Sequence, residues 1–209
     1  QVINLWRADR IFNLGRNYIK TDQVQAGFDY LQQAVTLSPK EPLFRSEYAE
    51  AAAKMAYLYH SQATPAAELE NQLINEAIAN SDLVIQANPV HLNYWKSRIK
   101  VFTLLSLIDQ KYQLPALEAL TQAIALSPTD AKLYYNLGLT YSQLGQTGLA
   151  EQALIQAIDL KENYEASRFS LGLLYEQTRQ PAKAKQQYLY ILNHLNPDND
   201  KVKTLLKSL

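Results

Sequence analysis

The chain has 209 residues, 47% of them hydrophobic and 19% charged, and its 20 Lys and Arg balance 20 Asp and Glu. That balance lacks the basic footprint of a nucleic-acid binder, and no stretch approaches the roughly 18 unbroken apolar residues of a membrane span. The absence of cysteine excludes disulfides and thiolate metal sites, and an opening on Gln1 with no signal-peptide pattern marks a fragment or processed product.

A beat runs through the sequence. The small or apolar residue ahead of each "LSP"-like ending falls at Ala34, Val84, Ala123, Ala157 and Ile191, in steps of 50, 39, 34 and 34. Pro39, Pro89 and Pro128 keep the same beat, with Glu162 in the fourth slot. The spacing predicts two helices per step. The first unit, about 8–41, carries Ile11, Leu14, Gly15, Tyr18, Gly27 and Leu31. The second, about 42–91, carries Tyr48, Ala49, Ala52 and Ala77, and holds 50 − 34 = 16 extra residues around "AYLYHSQATPAAELENQL". The third, about 92–130, carries Trp95, Ile99, Phe102, Ala116 and Leu120, with 39 − 34 = 5 extra residues around "LLSLIDQKYQLP". Both insertions read as helices lengthened on either side of the inter-helix turn, with Pro65 at or before the start of the longer second helix. The fourth unit, about 131–164, has Tyr134, Leu137, Gly138, Tyr141, Ala150 and Leu154. The fifth, about 165–198, has Arg168, Leu171, Gly172, Tyr175, Ala184 and Tyr188, with Pro197 one place late. In "PDNDKVKTLLKSL" Val202, Leu205, Leu206 and Leu209 fall at helical spacing behind Asp and Asn, which predicts a closing helix over about 199–209. At the other end, Val2, Ile3, Leu5 and Trp6 either extend the first helix or pack on something outside this chain.

With a period of 34 residues and this pattern of large, small and aromatic positions, the chain resembles the tetratricopeptide repeat family. The resemblance implies an all-α, right-handed superhelical solenoid of about five helix pairs plus a C-terminal capping helix, in one array over 1–209. Small residues at repeat positions 8, 20 and 27 would admit close helix contact, and large ones at 4, 7, 11 and 24 would fill the space between. Arg98 departs from the pattern at position 7, where leucine is usual. The family lines its concave surface with the first helix of each repeat. Residue by residue, this gives Asp9, Phe12, Asn13, Arg16, Ile19 and Lys20, then Leu43, Ser46, Glu47, Glu50, Ala53 and Lys54, then Asn93, Lys96, Ser97, Lys100, Thr103 and Leu104. The fourth repeat supplies Tyr135, Asn136 and Leu139, and the fifth Phe169 and Leu173. The expected partner-binding residues are therefore Lys96, Lys100, Tyr135, Asn136, Leu139, Phe169 and Leu173. The carboxylate clamp of chaperone-binding members is incomplete, because Lys100, Ala166 and Ser170 occupy three of its positions.

Catalytic and cofactor signals are absent from the pattern. His60, His91 and His194 stand in no metal-ligand spacing, and the glycines form no phosphate loop. The sequence thus reads as a non-catalytic scaffold, with no cofactor, that takes a protein or peptide in its groove. Two other functions stand beside it. The stretches "WRADRIFNLGRNY", "NPVHLNYWKSRIKVF" and "YYNLGLTY" resemble the tail of bacterial membrane proteins of the O-antigen ligase or polymerase type, which would make this an accessory domain of a glycan enzyme. Self-association as a homo-oligomer is the third. Compartment is not written in the sequence.

Overall fold

The computed structural model describes residues 2–62 and 67–209, with side chains from Trp6 onward. Every regular element among them is helical. In chain order these are α1 (Val2–Lys20), α2 (Val24–Leu37), α3 (Pro42–His60), α4 (Ala67–Ala87), α5 (Leu92–Ser106), α6 (Gln113–Leu126), α7 (Ala131–Gln143), α8 (Thr147–Leu160), α9 (Glu165–Gln177), α10 (Pro181–Tyr190) and α11 (Asp200–Ser208). The chain divides into two compact units, Gln1–Ala123 and Ile124–Leu209. In the first, α1 packs on α2 and α3 on α4, while α3 also packs on α5. In the second, α7 packs on α8 and α9 on α10, and α7 touches α9. The all-α, helix-pair architecture expected from the period is the one found, closing on α11.

Three of the turns inside the pairs share one geometry. Asp22, Gly145 and Arg179 occupy the same repeat position, and all take positive φ, at 61°, 71° and 58°. The next residue is glutamine each time, and its N–H reaches back to a tyrosine carbonyl. These bonds are Gln23 to Tyr18 at 2.9 Å, Gln146 to Tyr141 at 2.9 Å and Gln180 to Tyr175 at 2.8 Å. This is the Schellman ending, in which one left-handed residue lets a helix satisfy its last carbonyls. Glycine adopts that conformation freely, whereas a residue with a Cβ is strained there. Arg179→Gly is expected to raise stability by about 0.5–1 kcal/mol, read as a higher denaturation midpoint. An unchanged or lower midpoint would show that Arg179 carries no strain.

Three of the joints between repeats share a second device. At repeat position 4 a side-chain N–H crosses to the backbone carbonyl six residues earlier, where the preceding repeat ends. Arg45 Nε donates to Pro39 O at 2.6 Å, Trp95 Nε1 to Pro89 O at 2.7 Å and Arg168 Nε to Glu162 O at 3.0 Å. The buried Arg168 also donates to Gln187 Oε1 at 3.3 Å and lies 3.5 Å from the centre of the Tyr190 ring. Arginine and tryptophan are interchangeable here because both deliver a planar N–H from an apolar stem. Arg168→Ala is expected to cost about 1.5–3 kcal/mol, since it strands a carbonyl and removes packing. Arg168→Trp should recover part of the loss in a thermal melt, whereas equal melting of the two variants would refute the N–H role.

The insertions differ from each other. The 16 extra residues lengthen helices as expected, since α3 has 19 residues and α4 has 21 against 13 and 14 in α7 and α8. Pro65 lies outside the described residues. The third-repeat insertion corrects the expectation: α5 has 15 residues and α6 has 14, and most of the added length is a turn followed by a 3-10 turn at Gln110–Tyr112. Asp109 caps the start of that 3-10 turn by accepting the Lys111 N–H at 2.9 Å, which leads the chain into α6. Near the C-terminus, α10 runs into a π turn, Ile191–Leu195, closed by Asn196 N–H to Ile191 O at 2.7 Å. A π turn absorbs one extra residue, which explains the late Pro197.

Each unit has its own core. In the first unit, the alanine-rich face of α3 (Ala49, Ala52, Ala53, Ala56) meets Phe12, Leu31, Ile74 and Phe102. In the second, Leu154, Leu171, Tyr175, Tyr188, Ile191 and Val202 are buried together. Arg98, in place of leucine, bonds Ser81 at 3.1 Å and Asp82 at 2.6 Å, with its guanidinium 4.8 Å from the Phe102 ring centre. Two first-repeat expectations are reversed. Leu14, expected in the core, is 45% exposed, while Phe12, expected in the groove, is buried and stacked on Phe44 at 4.4 Å. The equivalent Leu171 is buried in a helix packed against α8, whereas no described helix precedes α1 to cover Leu14.

Candidate functional site

The expected groove residues fall in both units. In the second, α7 presents Tyr135, Asn136 and Leu139, and α9 presents Phe169 and Leu173, on two helices that touch. They divide by what they already contact. Tyr135 tilts against Tyr164 at 5.3 Å and Phe169 against Tyr188 at 6.1 Å, and both rings pack on the core. Leu139 and Leu173 are not among the side chains packed on that core, and Leu173 is 38% exposed. On this face Leu173 is the exposed apolar side chain, and Leu139, Tyr135 and Phe169 are half-buried. Asn136 is half-buried, and its carbonyl accepts the Thr140 hydroxyl at 3.0 Å.

Beside Phe169 lies a feature the sequence reading missed. Glu165, Ala166, Phe169, Asn199 and Lys201 line an open pocket of about 350 Å³. Lys201, from α11, holds its ammonium 4.7 Å from the centre of the Phe169 ring, a cation–π geometry. Glu165 is oriented by the Asn196 and Asn199 amides, which donate to it at 3.2 and 2.8 Å. Asn199 also caps α11 by accepting the Val202 N–H at 3.1 Å. The one available signal was "NDK" ahead of the closing helix, whose period marks Val202 as core but not which lysine turns toward α9.

In the first unit the corresponding face is ionic. Lys100 pairs with Glu50 at 2.9 Å and Arg16 with Glu47 at 3.4 Å. Ser46, Ala53 and Ser97, expected in the groove, are buried instead, and Ser97 Oγ–H donates to the Ser46 carbonyl at 3.3 Å. Small side chains there let α3 and α5 approach. Lys96 is half-buried. Burial pushes the Glu50 carboxyl above its ordinary range, against the opposing pull of Lys100 and Ser97. A raised carboxylate pKa means the folded state holds its proton more tightly than the unfolded state. Stability is therefore fullest below the ordinary carboxylate pKa and falls as pH rises through the elevated folded value. Glu50→Gln is expected to flatten that fall in melts taken across the mildly acidic range, and an unchanged profile would remove Glu50 as its source.

No catalytic constellation emerges among the described residues. His60 meets Glu70 at 3.3 Å, His91 stacks on Tyr94 at 4.2 Å and His194 lies 4.7 Å from Tyr190. Among the described residues no group of three or more His, Asp or Glu could hold a metal ion, and no helix is long and apolar enough to cross a membrane.

Two segments match tetratricopeptide repeat models, residues 8–41, covering most of α1 with α2, and residues 119–152, running from α6 through α7 into α8. No curated protein sequence matches the chain. Among solved structures, the fold is similar to TTC0263, a thermophilic TPR protein of Thermus thermophilus, at 21% identity and a TM-score of 0.67, covering 96% of this chain and 97% of that one. It is also similar to MamA (41-end) of Desulfovibrio magneticus RS-1, at 20% identity and a TM-score of 0.68, covering 92% and 97%. YrrB, a TPR protein with an unusual peptide-binding site, matches at 12% identity and a TM-score of 0.62, covering 95% and 91%. The chain thus carries tetratricopeptide repeats at residues 8–41 and 119–152, within an all-α helix-pair fold like that of these solved TPR structures.

Proposed function

We propose that this chain is a non-catalytic scaffold that holds a peptide or a protein segment on the α7–α9 face. The observation that carries the reading is the pair Leu139 and Leu173, outside the packed core at the same repeat position on touching helices, above a floor of Tyr135 and Phe169. Exposed apolar surface on a stable scaffold is what partner binding uses. The peptide-binding site described for YrrB fits the same use of the fold. Lys201 and Asn136 supply polar contacts at its edges.

A photo-crosslinking residue at position 173 is expected to capture the partner, while one at the exposed Ile155 of α8 is not. Capture from 155 alone would move the binding surface to the second helices of the pairs.

A further inference from the structure

The outer side of α1 is a second surface with its own chemistry. Successive helical residues are turned by about 100°, so Trp6, Asn17, Arg10, Leu14 and Arg7 fall in that angular order within roughly 100° of circumference. The buried Ala8, Phe12 and Gly15 lie on the opposite side. Trp6 is 61% exposed, the Arg10 guanidinium sits 5.0 Å from its ring centre, and Leu14 is the exposed leucine already described. The helix carries Arg7, Arg10, Arg16 and Lys20 against a single acid, Asp9. Arg16 is spent on Glu47, whereas Arg7 and Arg10 form no ion pair among the described residues. Asp9 lies about 60° off the stripe and holds the Asn13 amide at 3.4 Å.

We propose that this stripe docks on an anionic lipid surface. An indole with one guanidinium against it, a second arginine next in sequence and an exposed leucine about two turns further along, with no acid on the stripe, has the composition that settles at the headgroup level. The ring and the leucine enter the acyl boundary while arginine forks onto phosphate. Where a preceding repeat does cover this face, on α9, the equivalents of Arg10, Leu14 and Asn17 are the buried Ser167, Leu171 and Leu174, a small and apolar set. The stripe offers two arginines and a tryptophan instead. Each basic residue near an anionic surface contributes about 1 kcal/mol and acts only within a Debye length, so Arg7 and Arg10 draw this face toward it.

The test is sedimentation of the chain with vesicles of phosphatidylcholine alone and with vesicles in which about a third of the lipid is phosphatidylglycerol, a fraction chosen to give a strong negative surface potential. Binding is expected only to the second, weakening with added salt, with a blue shift in emission that Trp6→Phe removes. Arg7→Glu with Arg10→Glu should weaken partition by about thirtyfold or more. Lys161→Glu with Lys185→Glu, exposed in the second unit, should leave it unchanged. Melts of both double variants, matching the parent, establish that the charges and not the fold were altered. No binding to the anionic vesicles, equal loss from both double variants, or a dimer in light scattering that Trp6→Ala dissolves would each overturn the proposal, the last by giving the face to a second copy.

Discussion

Gly172→Leu is expected to be the most destabilising single change in the second unit, lowering stability by about 3 kcal/mol or more and the denaturation midpoint with it. A Cβ built at Gly172 would sit well inside contact distance of the Tyr188 ring, and Tyr188 is fully buried. A ring in that position cannot swing away, because Ile191 and Tyr175 belong to the same packed cluster. At Gly138, by contrast, the same atom would meet Leu154 Cγ at 2.7 Å, the middle of an aliphatic side chain. Leucine can change rotamer at modest cost, so Gly138→Leu should fall nearer the usual overpacking range of about 1–3 kcal/mol. The ordering is the informative part. If Gly138→Leu proves the worse of the two, the ring at position 24 is not the rigid wall the packing implies. If both match the parent, close helix contact is not what these glycines provide.

The reason for that glycine was legible in the sequence, and so was the helix-pair architecture. A residue that costs helical stability, repeated at one register beside leucine and tyrosine, is a packing signal, and periodic burial is what a 34-residue pattern encodes. The shared turn was half legible. Gly145 announces a left-handed residue, but Asp22 and Arg179 hide the same conformation behind ordinary letters. What failed to show was anything decided between elements rather than along one. Phe12 and Leu14 are two residues apart on one helix, and which of them is buried depends on whether another helix stands beside α1. Ser46 and Ser97 read as groove residues and instead close the α3–α5 contact. Lys201 reached the Phe169 ring from a helix whose own period speaks for Val202, Leu205 and Leu206 but for no lysine. At the site itself, the sequence named the helices, and packing then separated floor from exposed surface. Tyr135 and Phe169 pack on the core cluster, while Leu173 is exposed and Leu139 is half-buried outside that cluster.

That separation makes the second large effect specific. Leu139→Ala with Leu173→Ala is expected to weaken partner binding by about 2–4 kcal/mol, which is roughly thirtyfold to a thousandfold, because two central apolar contacts are removed at once. The melt should hardly move, since neither leucine packs on the core. Tyr135→Ala with Phe169→Ala should weaken binding as much and lower the melt as well, because both rings support buried neighbours. A variant that loses binding only in step with its folded fraction would report on stability and not on the surface.

The most direct measurement is therefore affinity for the captured partner set against melting temperature, for the parent and the Leu139→Ala/Leu173→Ala variant side by side. The expected result is a loss of at least about thirtyfold in affinity at an unchanged melt. Parental affinity in a variant that melts with the parent would contradict the α7–α9 face as the place where this scaffold holds its partner.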